Sequence, residues 1–255
     1  MTVFLVVVSG SWGYLTVSGL TPGPEHGDSE FMIVSAALWA TGHTFSIVPN
    51  PFMSIPPAFL DFLTHKTDAL QTNQFPHELF LPLPGETKFI YDRLYLLYAM
   101  GILWRIVEIS WSSLNILVSF FAGLTAAITY GIFRLGMGRS IAFVGTLLFV
   151  SSPLFLTELP ALRDFCKAPF ILGALLAIGY LLSRSPRKPG LVVLAAAIGL
   201  FTGIGMGFRQ DIIIVLPPLV VSLLFARDFG THGKQGILAN VPATKDGYVK
   251  VKSVF

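Results

Sequence analysis

Two sets of charged residues in this 255-residue chain have types and spacings suited to chemistry. The first is Gly27-Asp28-Ser29-Glu30, which opens an apolar helical pattern of Phe31, Ile33, Val34, Ala37 and Leu38. Asp28 or Ser29 suits a helix N-cap, whose side-chain oxygen accepts from the first open backbone N–H groups, and Glu30 favours the positive end of the helix dipole. A carboxylate there is also ionised at neutral pH and able to take a proton from an acceptor hydroxyl or amine. Asp28 and Glu30 are therefore the candidate catalytic residues. His26 stands two residues before Asp28, but alternate positions around a turn do not converge on one ion, so it reads as a solvated loop histidine.

The second set is Arg163, Asp164 and Lys167, with Arg209 and Asp211 further along, each beside the end of an apolar run. Charges at such boundaries serve as anchors or ion pairs. They also suit a substrate site in which the cations hold a phosphate and Asp164 orients an acceptor or a metal. Residue type leaves both readings open. Cys166 is the single cysteine, which excludes an intramolecular disulfide and any CxxC motif.

The framework that positions these residues follows from composition. Hydrophobic residues make up 53% of the chain and charged ones only 12%, with a mean hydropathy of +0.71. A soluble domain needs more charge on its surface, so most of this apolar surface must face lipid or other helices. The net charge of +3 does not indicate a nucleic-acid partner, because the basic residues stand singly at the ends of apolar runs. That placement is a topology signal.

The apolar runs are Val3 to Leu20, Leu114 to Phe133, Ile141 to Leu156, Ala168 to Leu182, Leu191 to Phe208 and Ile212 to Ala226. Arg134 and Arg139 flank one short loop, Arg184, Arg187 and Lys188 crowd another, and Arg227 follows the last run, so all three positions are expected on the cytoplasmic side. The segment between the first two runs is acidic and proline-rich. Within it, Leu94 to Val107 has no room to cross and is expected to lie along the outer interface. Tyr91, Tyr95, Tyr98 and Trp104 would sit among headgroups, with Arg105 and Glu108 in water. The expected fold is an all-α integral membrane protein with about six transmembrane helices and a long extracytoplasmic first loop, residues 21–113. A cytoplasmic tail follows, residues 227–255. Cys166 is expected to face out. Pro217-Pro218 should kink or break the last run. Tyr248 to Val254 alternates like a lone strand, and Gly199, Gly203, Gly205 and Gly207, including Gly199-x-x-x-Gly203, permit close helix packing.

Three stretches carry a family likeness. Asp28-Ser29-Glu30-Phe31 through Thr41-Gly42, Tyr91-Asp92-Arg93-Leu94-Tyr95-Leu96-Leu97-Tyr98-Ala99, and Leu114-Asn115 running into Tyr130-Gly131-Ile132-Phe133-Arg134-Leu135-Gly136 resemble multi-spanning glycosyltransferases of the C-type fold. These use polyprenyl-phosphate-linked sugars and include protein O-mannosyltransferases and bacterial aminoarabinose transferases. Ser152-Pro153 and Arg163-Asp164-Phe165 are similar to the family too.

The resemblance covers roughly residues 1 to 226 as an order of elements. It implies transfer of a sugar from a polyprenyl-phosphate carrier to an acceptor on the extracytoplasmic face, in a bacterial inner membrane or its equivalent. Relatives continue through further crossings, so it also implies an amino-terminal portion that works with more chain or a partner chain. Asp28 matches the family's first acidic motif best, although many relatives have adjacent acids where this chain has Asp28-x-Glu30. Metal dependence varies within the family, so a divalent metal stays open and the lipid-linked sugar is the expected donor. Two other classes stand beside this one: a non-catalytic membrane subunit, and a transporter, which would show ionisable residues within its crossings and repeated halves.

Overall fold

The computed structural model describes residues 1–19, 30–42, 47–49, 56–71, 80–82, 93–183, 188–224, 244–245 and 248–249. These are mostly helical, and three helices are long and apolar enough to cross a membrane: Ser112–Gly136, Leu162–Ser183 and Gly190–Phe208.

The elements, in chain order, begin with α1 (Thr2–Ser18) and α2 (Glu30–Ala40). Next come β1 (Ile47–Pro49), α3 (Pro57–Leu63), β2 (Phe80–Pro82) and α4 (Leu94–Ile106). A 3-10 turn, Ser112–Leu114, then leads into the central helix α5 (Asn115–Gly136). It is followed by α6 (Arg139–Val150), α7 (Pro153–Glu158), α8 (Leu162–Phe165), α9 (Ala168–Ser183) and α10 (Lys188–Phe208). Beyond them lies a 3-10 segment, Gln210–Val215, continued by α11, residues 216–224.

The other three expected crossings are shorter helices: Thr2–Ser18, Arg139–Val150 and Gln210–Leu224. Spanning hydrocarbon takes roughly 20 helical residues at about 1.5 Å each. The run Ile141 to Leu156 breaks at Ser151-Ser152-Pro153. There the Ser152 hydroxyl accepts from Phe155 N at 3.3 Å and caps α7, while Pro153 takes the first helical position, where its missing N–H costs nothing. Pro217-Pro218 acts in the same way. The pair stands in the first turn of α11, after the 3-10 segment, and so starts a helix instead of kinking one.

α5 is the hub. Its contact with α1 is set by small residues: a Cβ on Gly10 would lie 3.1 Å from Ser119 O, and one on Gly123 2.8 Å from Val6 O. Leu5 clusters with Tyr130 while Gly13 faces Ala122, so α1 runs antiparallel to α5. α9 runs parallel to it, with Gly131 on Leu176 and Gly179 on Leu135, and α10 returns antiparallel, with Gly173 on Phe201 and Gly205 on Phe170. Hence α1 ends, α5 and α9 begin and α10 ends at one pole of the bundle. The short α5–α6 turn lies at the other, with Arg134, Arg139, the end of α9 and the start of α10.

The first pole carries the elements of the long loop. α4 buries Leu96, Leu97, Met100, Gly101 and Trp104 against α2 and the bundle. Trp104 is only 3% exposed, and its indole N–H donates to Ser110 O at 3.0 Å and to Ser113 Oγ at 2.9 Å. The expectation of Trp104 among headgroups is thus overturned, since its polar atom is satisfied inside the protein. Tyr95 and Tyr98 are exposed, and Tyr91 lies outside the described residues. The loop is pinned to the start of α5 by Leu70 N to Ile109 O at 2.9 Å and Trp111 Nε1 to Phe62 O at 2.9 Å. The Asp68 carboxylate adds to this by accepting from Ser112 N at 2.8 Å.

The fold also contains two small antiparallel ribbons. One pairs β1 with β2 inside the long loop. The other pairs Thr244–Lys245 with Tyr248–Val249, so the strand expected to stand alone has a partner just upstream.

Candidate functional site

The site is built where α8, the start of α9 and the end of α10 meet. α10 can approach because Gly205 and Gly207 lack side chains: a Cβ on Gly205 would lie 2.7 Å from the Phe170 ring, and one on Gly207 would overlap the Tyr95 ring. Phe208 fills the space beneath, with its ring 5.2 Å from Phe170, 5.4 Å from Phe121 and 6.3 Å from Tyr95. This aromatic layer fixes the end of α10. Arg209 N still closes the helix on Gly205 O at 2.9 Å, while the Arg209 backbone turns extended and carries its side chain out of the helix line.

The five residues Arg163, Asp164, Lys167, Arg209 and Asp211 come together there. Arg163 Nη2 lies 3.3 Å from Asp164 Oδ2, and Asp164 also pairs with Arg209. Arg209 Nε donates to Asp211 Oδ2 at 2.8 Å, and Lys167 Nζ approaches the same oxygen at 3.4 Å. Cation and anion alternate along this chain of contacts, beginning and ending on a cation. Three positive and two negative side chains leave one net positive charge. Arg209 is the most enclosed, its side chain 19% exposed, and Asp211 the most open at 54%. Burial works against ionisation of Asp211. The charge and hydrogen bond of Arg209, followed by those of Lys167, outweigh it and hold the carboxyl below its ordinary value of 3.8.

Such a cluster suits an anionic oxygen group arriving from outside, because guanidinium and ammonium donors can exchange a carboxylate partner for a phosphate oxygen. It suits a divalent metal less well. Asp164 is already shared between Arg163 and Arg209, and among the described residues no three His, Cys, Asp or Glu side chains converge.

Asp28 and His26 lie outside the described residues. Glu30 is the first residue of α2, and its side chain is not described. Cys166 corrects an expectation: it is fully buried, and its Sγ contacts Arg163 O at 3.3 Å, so it does not face out as an accessible thiol. The glycines divide. Gly205 and Gly207 bear on the site, whereas a Cβ on Gly199 or Gly203 would meet nothing within 4 Å. Sequence reasoning missed Asp68, which reaches across 44 residues to Ser112 with no local signal. It also missed that Arg105, exposed as it is, stands 3.8 Å over the Trp39 indole ring and donates to Trp39 O at 2.6 Å. Set against known proteins, the chain matches no family model, no curated protein and no solved structure.

Proposed function

We propose that the chain is a multi-pass membrane glycosyltransferase, or the amino-terminal portion of one. It would transfer a sugar from a polyprenyl-phosphate carrier to an acceptor on the extracytoplasmic face of a bacterial inner membrane or its equivalent. In this reading the acceptor hydroxyl attacks the anomeric carbon and its proton passes to Asp28, with Glu30 beside it. The bond from sugar to phosphate breaks, and the departing polyprenyl phosphate keeps the electron pair, its charge met by Arg163, Lys167 and Arg209. Asp164 and Asp211 hold those cations in place, and Asp164 orients the acceptor.

The observation that carries the reading is the convergence of Arg163, Lys167 and Arg209 at the ends of two candidate spanning helices. A lipid phosphate presents its charge at that depth. The same pole is where α1 stops at Ser18, with Asp28 ten residues on in sequence. The opposite pole holds Arg134 and Arg139, which supports a reading of six crossings with that pole cytoplasmic. The shorter helices α1 and α6, and the run from Ile212 through α11, would then cross with help from flanking residues.

A second reading, a non-catalytic subunit, draws on the carboxylate partners of all three cations, since such pairing suits a clamp between α8 and α10. Transfer from a polyprenyl-phosphate sugar, reconstituted with the full-length protein and any partner chain it needs, separates the two. Asp28→Asn retains capping ability and should keep the fold while transfer falls by about 10² to 10⁴. Full transfer by that variant would sink the catalytic role of Asp28.

A further inference from the structure

At the same pole, apart from the ion cluster, a cavity of about 710 Å³ opens between the end of α4 and residues 69–71. Ala40, Ala69 and Trp104 contribute apolar surface, and Gln71, Arg105 and Glu108 contribute the polar groups. That volume lies within the range of pockets that take small ligands, about 300–1,000 Å³.

The two charged residues on its wall have an unusual relation. Arg105 and Glu108 are three residues apart, the spacing at which opposite charges on a helix pair, and yet they do not. α4 ends at Ile106, and Arg105 is drawn onto Trp39 by its stacked ring and carbonyl oxygen. Among the described residues the Glu108 carboxylate makes no ion pair or hydrogen bond. The Trp39 ring is itself held edge-on by Tyr98 at 5.1 Å, so the guanidinium sits on a braced support. A fixed donor fork and an unengaged acceptor thus share one wall over an apolar floor, with charges that cancel.

We propose that this cavity binds a neutral oligosaccharide of about two or three rings, a size its volume accommodates. Hydroxyls both donate and accept, so one class of group satisfies the Glu108 carboxylate and the remaining Arg105 donors together. The apolar face of a sugar ring meets Ala40, Ala69 and the Trp104 edge. A ligand of net charge pairs with one of the two charged groups and is opposed by the other. In the transferase reading this is where a glycan acceptor docks. That clause alone rests on the transferase reading, because binding is measured without donor or transfer.

The test is calorimetric titration of the purified chain with maltotriose, cellotriose and chitotriose, with glycine and inorganic phosphate as charged competitors. At least one trisaccharide should bind at about millimolar affinity or better. Glu108→Gln and Arg105→Lys should each weaken it about tenfold or more, as expected for losing a hydrogen bond to a charged group. Glu108→Gln removes no contact seen in the fold, so its thermal stability should match that of the unaltered protein. The proposal is overturned if none of the three binds by about 10 mM, if both substitutions leave binding unchanged, or if glycine or phosphate displaces the sugar.

Discussion

Gly123→Ala tests the packing that gathers the functional pole. The new Cβ would stand 2.8 Å from the Val6 carbonyl oxygen and 3.1 Å from Val6 Cγ1. An ordinary carbon–oxygen contact is about 3.3 Å, so the two helices must separate by about half an ångström. The obstructing oxygen belongs to helical backbone and cannot rotate away, and the neighbouring contacts at Gly10 and Gly13 are tight as well. Overpacking of this kind costs about 1–3 kcal/mol, against roughly 1 kcal/mol returned by the better helix propensity of alanine. The net expectation is a loss of about 1 kcal/mol, or about 2–4 °C in Tm for a chain of this size. Gly199→Ala is the control, because its Cβ meets nothing within 4 Å and only the propensity gain remains. Thermal unfolding of both variants in the same detergent isolates the packing term, since the chemical change is identical. If Gly123→Ala proves as stable as Gly199→Ala, the close α1–α5 contact is wrong, and with it the argument for the pole at which α1 ends.

Two further predictions follow from the site. Cys166 should resist a maleimide in the native protein from either side of the membrane and react fully once the chain is unfolded in detergent, because its thiol is wholly buried; rapid native labelling would contradict the packing of α8. Asp211 has a depressed carboxyl pKa, so its contribution to stability is present above the ordinary value of 3.8 and is lost as pH falls through the lower folded-state value. The stability difference between the unaltered protein and Asp211→Asn should therefore be flat from about pH 8 to pH 5 and shrink below about pH 4; a difference that grows on acidification would refute the pairing with Arg209 and Lys167.

Much of the helical order was legible because the apolar runs are long and end in charge. Leu94 to Val107 forms a helix over Leu94–Ile106, within one residue of the expected bounds. The grouping of Arg163, Asp164, Lys167, Arg209 and Asp211 could be suspected from boundary positions alone. Their order of contact could not, because it depends on Gly205 and Gly207 admitting the Phe170 and Tyr95 rings. The break at Ser152-Pro153 illustrates a general difficulty, because hydropathy sums over a window and does not register a cap or a proline at a first turn, so one apolar run became two helices. Pro217-Pro218 was legible: two adjacent prolines demand a kink or break, and the last run changes from 3-10 to α just before them. Trp104 shows the opposite failure. Its amphipathic ring fits a headgroup layer by type, but Ser110 and Ser113 supply its hydrogen bond within the protein. Asp28, the proposed general base, was read from sequence and lies outside the described residues.

The most direct test of the account is binding of a polyprenyl phosphate to the purified protein, compared across cluster variants. Arg209→Ala should weaken binding about 10- to 100-fold, the worth of a hydrogen bond to a charged group. Lys167→Ala should do the same to a smaller degree. Asp211→Asn removes a competing carboxylate and raises the net charge of the cluster, so it should tighten binding even as it weakens the clamp. Unchanged affinity in Arg163→Ala, Lys167→Ala and Arg209→Ala alike, or weaker binding in Asp211→Asn, would show the cluster to be a structural clamp and contradict the phosphate site.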